Sequence, residues 1–259
     1  MAKIAIISDI HGNIEALHAV LADIRQSGIG RIICLGDVVG YGPNPVECLN
    51  IARSFDVVLC GNHEWAVIHE PVGFHAVARQ ALKWTQGRLK PRWYSLGGKV
   101  RTWRYLKRLP SRHRERRLLF VHGSPRGPID EYLLRSDVDE VLGQNSSKVE
   151  DAFDKTDWVT FVGHSHFPGI ITEDARYIEL SELENLKLTC KKDAKYIINV
   201  GSVGQPRDRN ERACYVFFDE DSGEAEYRRV EYDVDATTAK IRRISEIDDS
   251  LAERLKMGS

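Results

Sequence analysis

An α/β fold, a parallel sheet with helices on its faces, is the class this sequence predicts, and three observations carry the prediction. Short apolar runs recur at residues 4–7, 31–35, 56–60, 118–121 and 158–162. The early runs alternate with amphipathic stretches of helical period at 14–24 and 46–53, the signature of strand–helix–strand units. Each run gives way within a few residues to Asp, Asn or His, the residue types that gather where open α/β sheets bind ligands.

Residues 4–7 are apolar without alternation, as a strand buried on both faces must be, and Asp9-x-His11 follows. On an extended chain, side chains at i and i+2 point the same way, so Asp9 and His11 are expected to face one space. Gly12 and Asn13 then open the first helix, with Asn13 as its cap or as a phosphate contact at its N-terminus. The run 31–35 ends in Gly36-Asp37 and leads into Gly40-Tyr-Gly-Pro-Asn-Pro45. Pro45 suits the first turn of a helix over 46–53, with Asn44 capping it. The run 56–60 ends in Gly61-Asn62-His63-Glu64. Helical spacing returns at 74–88 and again at 100–109, where Pro110 stops it. The run 118–121 ends in His122, residues 137–142 read as a short helix, and 158–162 runs into Gly163-His164-Ser165-His166. Later runs at 170–171, 176–180, 196–200, 213–219 and 226–232 read as antiparallel strands, and 236–257 as a charged helical tail.

Composition narrows the function classes. With 259 residues the chain suits one large domain or two small ones, and 37 basic against 38 acidic residues give no overall bias toward a polyanionic partner. Five cysteines, Cys34, Cys48, Cys60, Cys190 and Cys214, form no close pair, which points to a reducing cytoplasm and away from a disulfide framework or zinc ribbon. Met1-Ala-Lys leads directly into a strand with no secretory leader, and no apolar run is long enough to span a membrane. One stretch stands apart: residues 88–117 hold a dozen Lys and Arg against Glu115, interleaved with Trp93, Tyr94, Trp103 and Tyr105.

Taken singly, the polar residues have structural explanations: Asp37 can cap a turn, Asn62 can occupy a left-handed position, and His122 can donate to a carbonyl. Five strand ends carrying such residues at one expected sheet edge make a site. His18, His69, His75 and His113 fall outside that pattern and are read as structural.

In these blocks, Asp9-x-His11, Gly36-Asp37, Gly61-Asn62-His63-Glu64, His122 and Gly163-His164-x-His166, the chain resembles the calcineurin-like metallophosphoesterases. Residues 40–45 and 199–208 are similar to a bacterial and archaeal branch with small single-domain members. The resemblance implies an α/β sandwich of mixed sheets flanked by helices, with a dinuclear metal site at strand ends. It implies one domain over 1–259, with a basic helical insertion or lid around 65–117. One divalent ion would be held by Asp9, His11, Asp37 and His166, the other by Asp37, Asn62, His122 and His164, with Asp37 bridging. Imidazole and carboxylate ligands suit manganese, iron, zinc or nickel. His63 would act on the phosphoryl group or the leaving alcohol, with Glu64 orienting it, and Asn13 and Arg207 would contact substrate. The implied activity is hydrolysis of phosphate mono- or diesters by metal-activated hydroxide. The implied substrates are phosphorylated small molecules, nucleotides or phosphoproteins, or nucleic acid drawn in by 88–117. The alternative from another class is an inactive interaction scaffold, which intact ligand positions disfavour.

Overall fold

The computed structural model describes residues 3–93, Ser95 and 97–259; Tyr94, one of the aromatic residues of the basic stretch, lies outside them. The first half runs β1 (Ile4–Ile7), α1 (Ile14–Gln26), β2 (Arg31–Cys34), α2 (Pro45–Ala52), β3 (Val57–Val58), α3 (Asn62–Ile68), α4 (Ala76–Leu89), α5 (Gly97–Leu106), β4 (Arg112–Glu115) and β5 (Leu118–Val121). The second half runs β6 (Val138–Asp139), β7 (Gln144–Asn145), α6 (Ser147–Asp154), β8 (Val159–Val162), β9 (Gly169–Thr172), β10 (Tyr177–Ile178), β11 (Lys187–Thr189), β12 (Tyr196–Asn199), β13 (Ala213–Asp219), β14 (Glu224–Val230), α7 (Val234–Arg242) and α8 (Ser250–Met257).

Apart from the β6–β7 pair, the strands form two six-stranded mixed sheets, as the resemblance implies, where the alternation of runs alone suggests one parallel sheet. One has the order β11-β14-β13-β1-β2-β3, the other β10-β9-β12-β8-β5-β4. Within the first, β1, β2 and β3 are parallel; within the second, β5, β8 and β12 are parallel. The five ligand-bearing strand ends are therefore split between two sheets. Their apolar runs look alike because each strand is buried twice. Ile4 and Ile6 of β1 face the core between the sheets, with Phe120, Phe161, Ile198 and Phe218, while Ala5 and Ile7 face α1 and α2. On the far side, Leu119, Val121 and Val162 pack against Val149 and Phe153 of α6.

Several local expectations shift. Residues 137–142 are no helix: a 3-10 turn, Arg135–Asp137, leads into the β6–β7 hairpin. Asn44 makes no side-chain cap; Pro45 starts α2 without it. The tail is two helices, and β12 pairs parallel with β8 as well as antiparallel with β9. The basic stretch is only partly helical. Leu106 is buried, and Trp103, Tyr105 and Leu109 pack against the core beside Ile51 and Phe55, with Arg53 over the Tyr105 ring. Arg112–Glu115 is an edge strand, where charge blocks further pairing. Its cations and their neighbours find local partners: Arg114 pairs with Asp157, Arg116 with Glu220, and Glu115 with Arg31 and His113. Among the described residues no helix is long and apolar enough to cross a membrane.

Candidate metal centre and cleft

The two sheet edges meet at the loops after β1, β2, β3, β5 and β8. The β1 and β2 loops keep pairing beyond their strands: Asp9 N donates to Gly36 O (3.1 Å), His11 N to Asp37 O (2.9 Å) and Gly12 N to Val38 O (2.9 Å). The other sheet's edge is tied in by Val203 N to Ser8 O and Gly204 N to Asp9 O. Asp9, His11, Asp37, His164 and His166 all have positive φ, between 49° and 64°. The expectation that Asp9 and His11 converge because the chain is extended is thus corrected: these residues, and His164 and His166 with them, converge because left-handed residues curl the backbone around a centre. Such conformations cost roughly 1–3 kcal/mol each and persist where the surroundings impose them.

Each carboxylate is held by one oxygen and offers the other. Asp9 Oδ2 accepts from His164 N (3.1 Å), and Asp37 Oδ1 accepts from His63 N (2.9 Å). A Cβ on Gly61 would overlap Asp37 Oδ1, so glycine is required there. Asp9 Oδ1 is buried without a hydrogen bond, 3.2 Å from His166 Nε2 and 3.7 Å from His11 Nε2. Asp37 Oδ2 lies 3.3 Å from His122 Nε2 and 3.8 Å from both His11 Nε2 and His63 Nε2, between the two halves of the cluster.

The imidazoles are oriented from outside. His11 Nδ1 lies 3.2 Å from Val39 O, His166 Nδ1 2.6 Å from Gln205 O, and His164 Nε2 3.0 Å from Asp130 O. A carbonyl can only accept, so each outer nitrogen carries the proton and each inner nitrogen of the neutral ring presents a lone pair. His11 Nε2 and His166 Nε2 face each other at 3.1 Å, beside the orphaned Asp9 oxygen. Three electron-pair donors converging without a proton fit a cation and little else. Asp9, His11 and His166 form one such group, and Asp37, His122 and His164 another. Asn62 Oδ1 joins the second, 3.1 Å from His122 Nε2.

Charge coupling runs through the whole cluster. Burial would raise the Asp37 carboxyl, but His122 and His63 hold it well below the usual range. Burial lowers His122, yet Asp37 carries it up to about 9. Burial and neighbouring imidazoles push His11 well below its ordinary value, His63 to about 4 and His164 to about 3.

The calcineurin-like phosphoesterase family description matches residues 2–201. The chain belongs to the calcineurin-like phosphoesterases. It is 38% identical to an uncharacterized protein of Methanocaldococcus jannaschii, over 99% of this chain and 98% of that one. It is similar to the crystal structure of a metallophosphoesterase from Sphaerobacter thermophilus, with TM-score 0.80, 36% identity, and 100% and 99% of the two chains covered. A hypothetical protein from Pyrococcus horikoshii shares the fold at TM-score 0.74, 20% identity, and 100% and 99% coverage. Family membership implies metal-dependent phosphoester hydrolysis, and this calcineurin-like phosphoesterase has Asp and His groups able to bind divalent metal.

Three expected site residues remain: Glu64, Asn13 and Arg207. Glu64 does not touch His63. Its carboxylate accepts from Asp37 N (2.7 Å), Gly61 N (3.0 Å) and Val39 N (3.0 Å), bracing the β2 and β3 loops and closing the N-terminus of α3. Burial and Asp37 raise it to about 7, against the pull of those N–H groups. Glu64→Gln should therefore cost stability: about 2–4 kcal/mol, since it removes a charge-assisted acceptor and turns an amide toward buried donors. Chemical denaturation of the metal-stripped protein measures it, and an unchanged midpoint would remove the brace. Asn13 caps α1 through Ala16 N (3.1 Å) and donates to Gly204 O (3.0 Å), so its side chain is spent on structure and stays out of the cleft. Arg207 pairs with neither Asp208, which Arg229 occupies, nor Glu211; it reaches the cleft.

That cleft, about 920 Å³, opens over Asp37, Asn62, His63, His164 and His166. His63 is clamped there, its ring 4.5 Å from Tyr41 and 5.3 Å from Phe74, and Gly40 leaves no Cβ to displace it. The mouth is formed in part from residues 65–75, within the expected 65–117 insertion, and from 129–132, while among the described residues none of 88–117 lines it. Residues missed from sequence include Tyr41, Trp65, Phe74, Tyr132 and Arg254; His69 and His75, read as structural, also face the cleft. The turn-rich loop 40–45 was the signal for Tyr41, and Arg254 had none.

Proposed function

We propose that this protein hydrolyses phosphate mono- or diesters with two divalent cations. Asp9, His11, Asp37 and His166 would hold one and Asp37, Asn62, His122 and His164 the other, with Asp37 Oδ2 common to both. The observation that carries the reading is the convergence of His11 Nε2, His166 Nε2 and Asp9 Oδ1 as unprotonated donors. When bound, two such cations supply Lewis acidity toward phosphoryl oxygens and toward water. The donor set suits manganese, iron, zinc or nickel. His63 turns its ring into the cleft and donates an N–H to the phosphoryl group or to the departing oxygen, while Tyr41 and Phe74 fix its plane. The walls over Asn62 and His164 keep the ester bond at the cluster. Five buried, unpaired thiols fit a reducing cytoplasm.

Chelator dialysis tests this. Hydrolysis of p-nitrophenyl phosphate should vanish with the metal and return on adding manganese, with elemental analysis following occupancy. Activity that survives complete metal removal would overturn the proposal.

A further inference from the structure

The cleft is far larger than one phosphoryl group needs, and two guanidiniums line it beside the cluster. Arg207 follows β12 and Arg254 lies on α8, and Arg209 N donating to Gly258 O (2.8 Å) ties the two segments together. Arg207 Nη2 donates to Gln205 Oε1 (2.9 Å), and its Nε is buried with no partner. Arg254 Nε donates to Ser259 O (2.9 Å). Neither pairs with an Asp or Glu side chain among the described residues, although Arg228 and Arg229 are paired to Asp23 and Asp208. Burial and then the Arg207 charge lower the Arg254 pKa, the mark of two like charges held close.

Two adjacent cations repel each other, and an anion held between them relieves that repulsion. Arg207 N also lies 3.4 Å from His166 O, so this anion position is next to the cluster, not remote from it. The cleft also holds aromatic rings: Trp65 is half exposed and tilted against His69 with ring centroids 4.1 Å apart, and Tyr132 stacks on His164 at 3.8 Å. An exposed indole beside bound phosphates is a platform for a planar base.

Resting on the hydrolase reading above, we infer that Arg207 and Arg254 form a second anion subsite, and that the substrate is a nucleotide with at least two linked phosphates. The terminal phosphoryl would lie at Asp37, the next phosphate on the arginines, and the base toward Trp65. Hydrolysis joins the oxygen of water to the terminal phosphorus, breaks its bond to the bridging oxygen, and releases inorganic phosphate, the shortened nucleotide and one proton.

The test compares ADP with AMP. Wild-type protein loaded with manganese should favour ADP in kcat/KM. Arg254→Ala should lower the ADP-to-AMP ratio by roughly tenfold to a hundredfold, the worth of one charge-assisted hydrogen bond, acting mainly on KM. Arg254→Lys should restore part of it, and melting curves check folding. Separately, calorimetry on chelator-treated protein should find ADP binding tighter than AMP, weakening with salt, and reduced by Arg254→Ala. Equal treatment of ADP and AMP by the wild type in both assays, or an equal loss for both in Arg254→Ala, would overturn the inference. If the loaded protein hydrolyses no ester, p-nitrophenyl phosphate included, the hydrolase reading fails, and the calorimetry still decides the subsite.

Discussion

Asp37→Asn is expected to lower hydrolysis of p-nitrophenyl phosphate by at least roughly 10²–10³, the scale of losing one preorganised charge contact, and to lower bound metal with it. The reason lies in how the two oxygens divide their work. Oδ1 accepts from His63 N, while Oδ2 sits between His122, His11 and His63. An amide that keeps its oxygen on His63 N places an NH₂ where Oδ2 was, and an amide nitrogen is no ligand. An amide flipped the other way opposes two donors at His63 N. The fold should hold, because the two sheets pack through apolar side chains such as Ile6, Phe120 and Phe161, not through this carboxylate. Elemental analysis beside the kinetic assay reads the result, and near-normal metal content with near-normal activity would falsify the bridging role.

His63→Ala should cost roughly 10²–10⁴ in kcat, the usual worth of a positioned proton donor, while both metals remain. The ring faces the cleft with its Nε2 3.8 Å from Asp37 Oδ2, and no carbonyl fixes its buried Nδ1. His11 and His166, by contrast, each have a carbonyl fixing the outer nitrogen. Comparing an aryl phosphate with an alkyl phosphate separates the two tasks of His63. If it protonates the leaving oxygen, the loss shrinks for the aryl ester; if it serves the phosphoryl oxygen, both lose alike. A variant that sheds metal would show that His63 belongs to the Asp37–His11 group instead.

The clustering of Asp9, His11, Asp37, His122, His164 and His166 was legible because two independent signals coincided at each: an apolar run marking a strand, and a ligand-type residue just past its end. What the apolar runs could not reveal was the number of sheets. Ile4 to Ile7 is buried on both faces, and that pattern is the same whether the second face meets a helix or another sheet. Glu64 was misread because a carboxylate next to a histidine suggests a pair, whereas three backbone N–H groups from the neighbouring loops compete for it and win. The β6–β7 hairpin was lost because two-residue strands carry no periodicity. In the basic stretch, charge density in sequence says nothing about where the acids lie: Asp157 and Glu220, distant along the chain, pair with Arg114 and Arg116. Arg254 was invisible for the same reason, as one cation in a charged helix brought to the cleft only by tertiary packing.

The position of β1 inside its sheet sets a schedule for biosynthesis. One of its neighbours, β2, follows almost at once, but the other is β13, whose residues pair Ile4 with Phe218 and Ile6 with Val216. At roughly 5–20 residues per second, a nascent chain waits on the order of 10–40 s between making the first strand and making its partner. Throughout that interval an apolar strand with open backbone donors and acceptors is available to other chains. Truncations before residue 213 should therefore not yield a smaller working enzyme even though Asp9 through His166 are all present. They leave the first-made strand unpaired on one side, and ribosome stalling over the last quarter of the message becomes a route to aggregation.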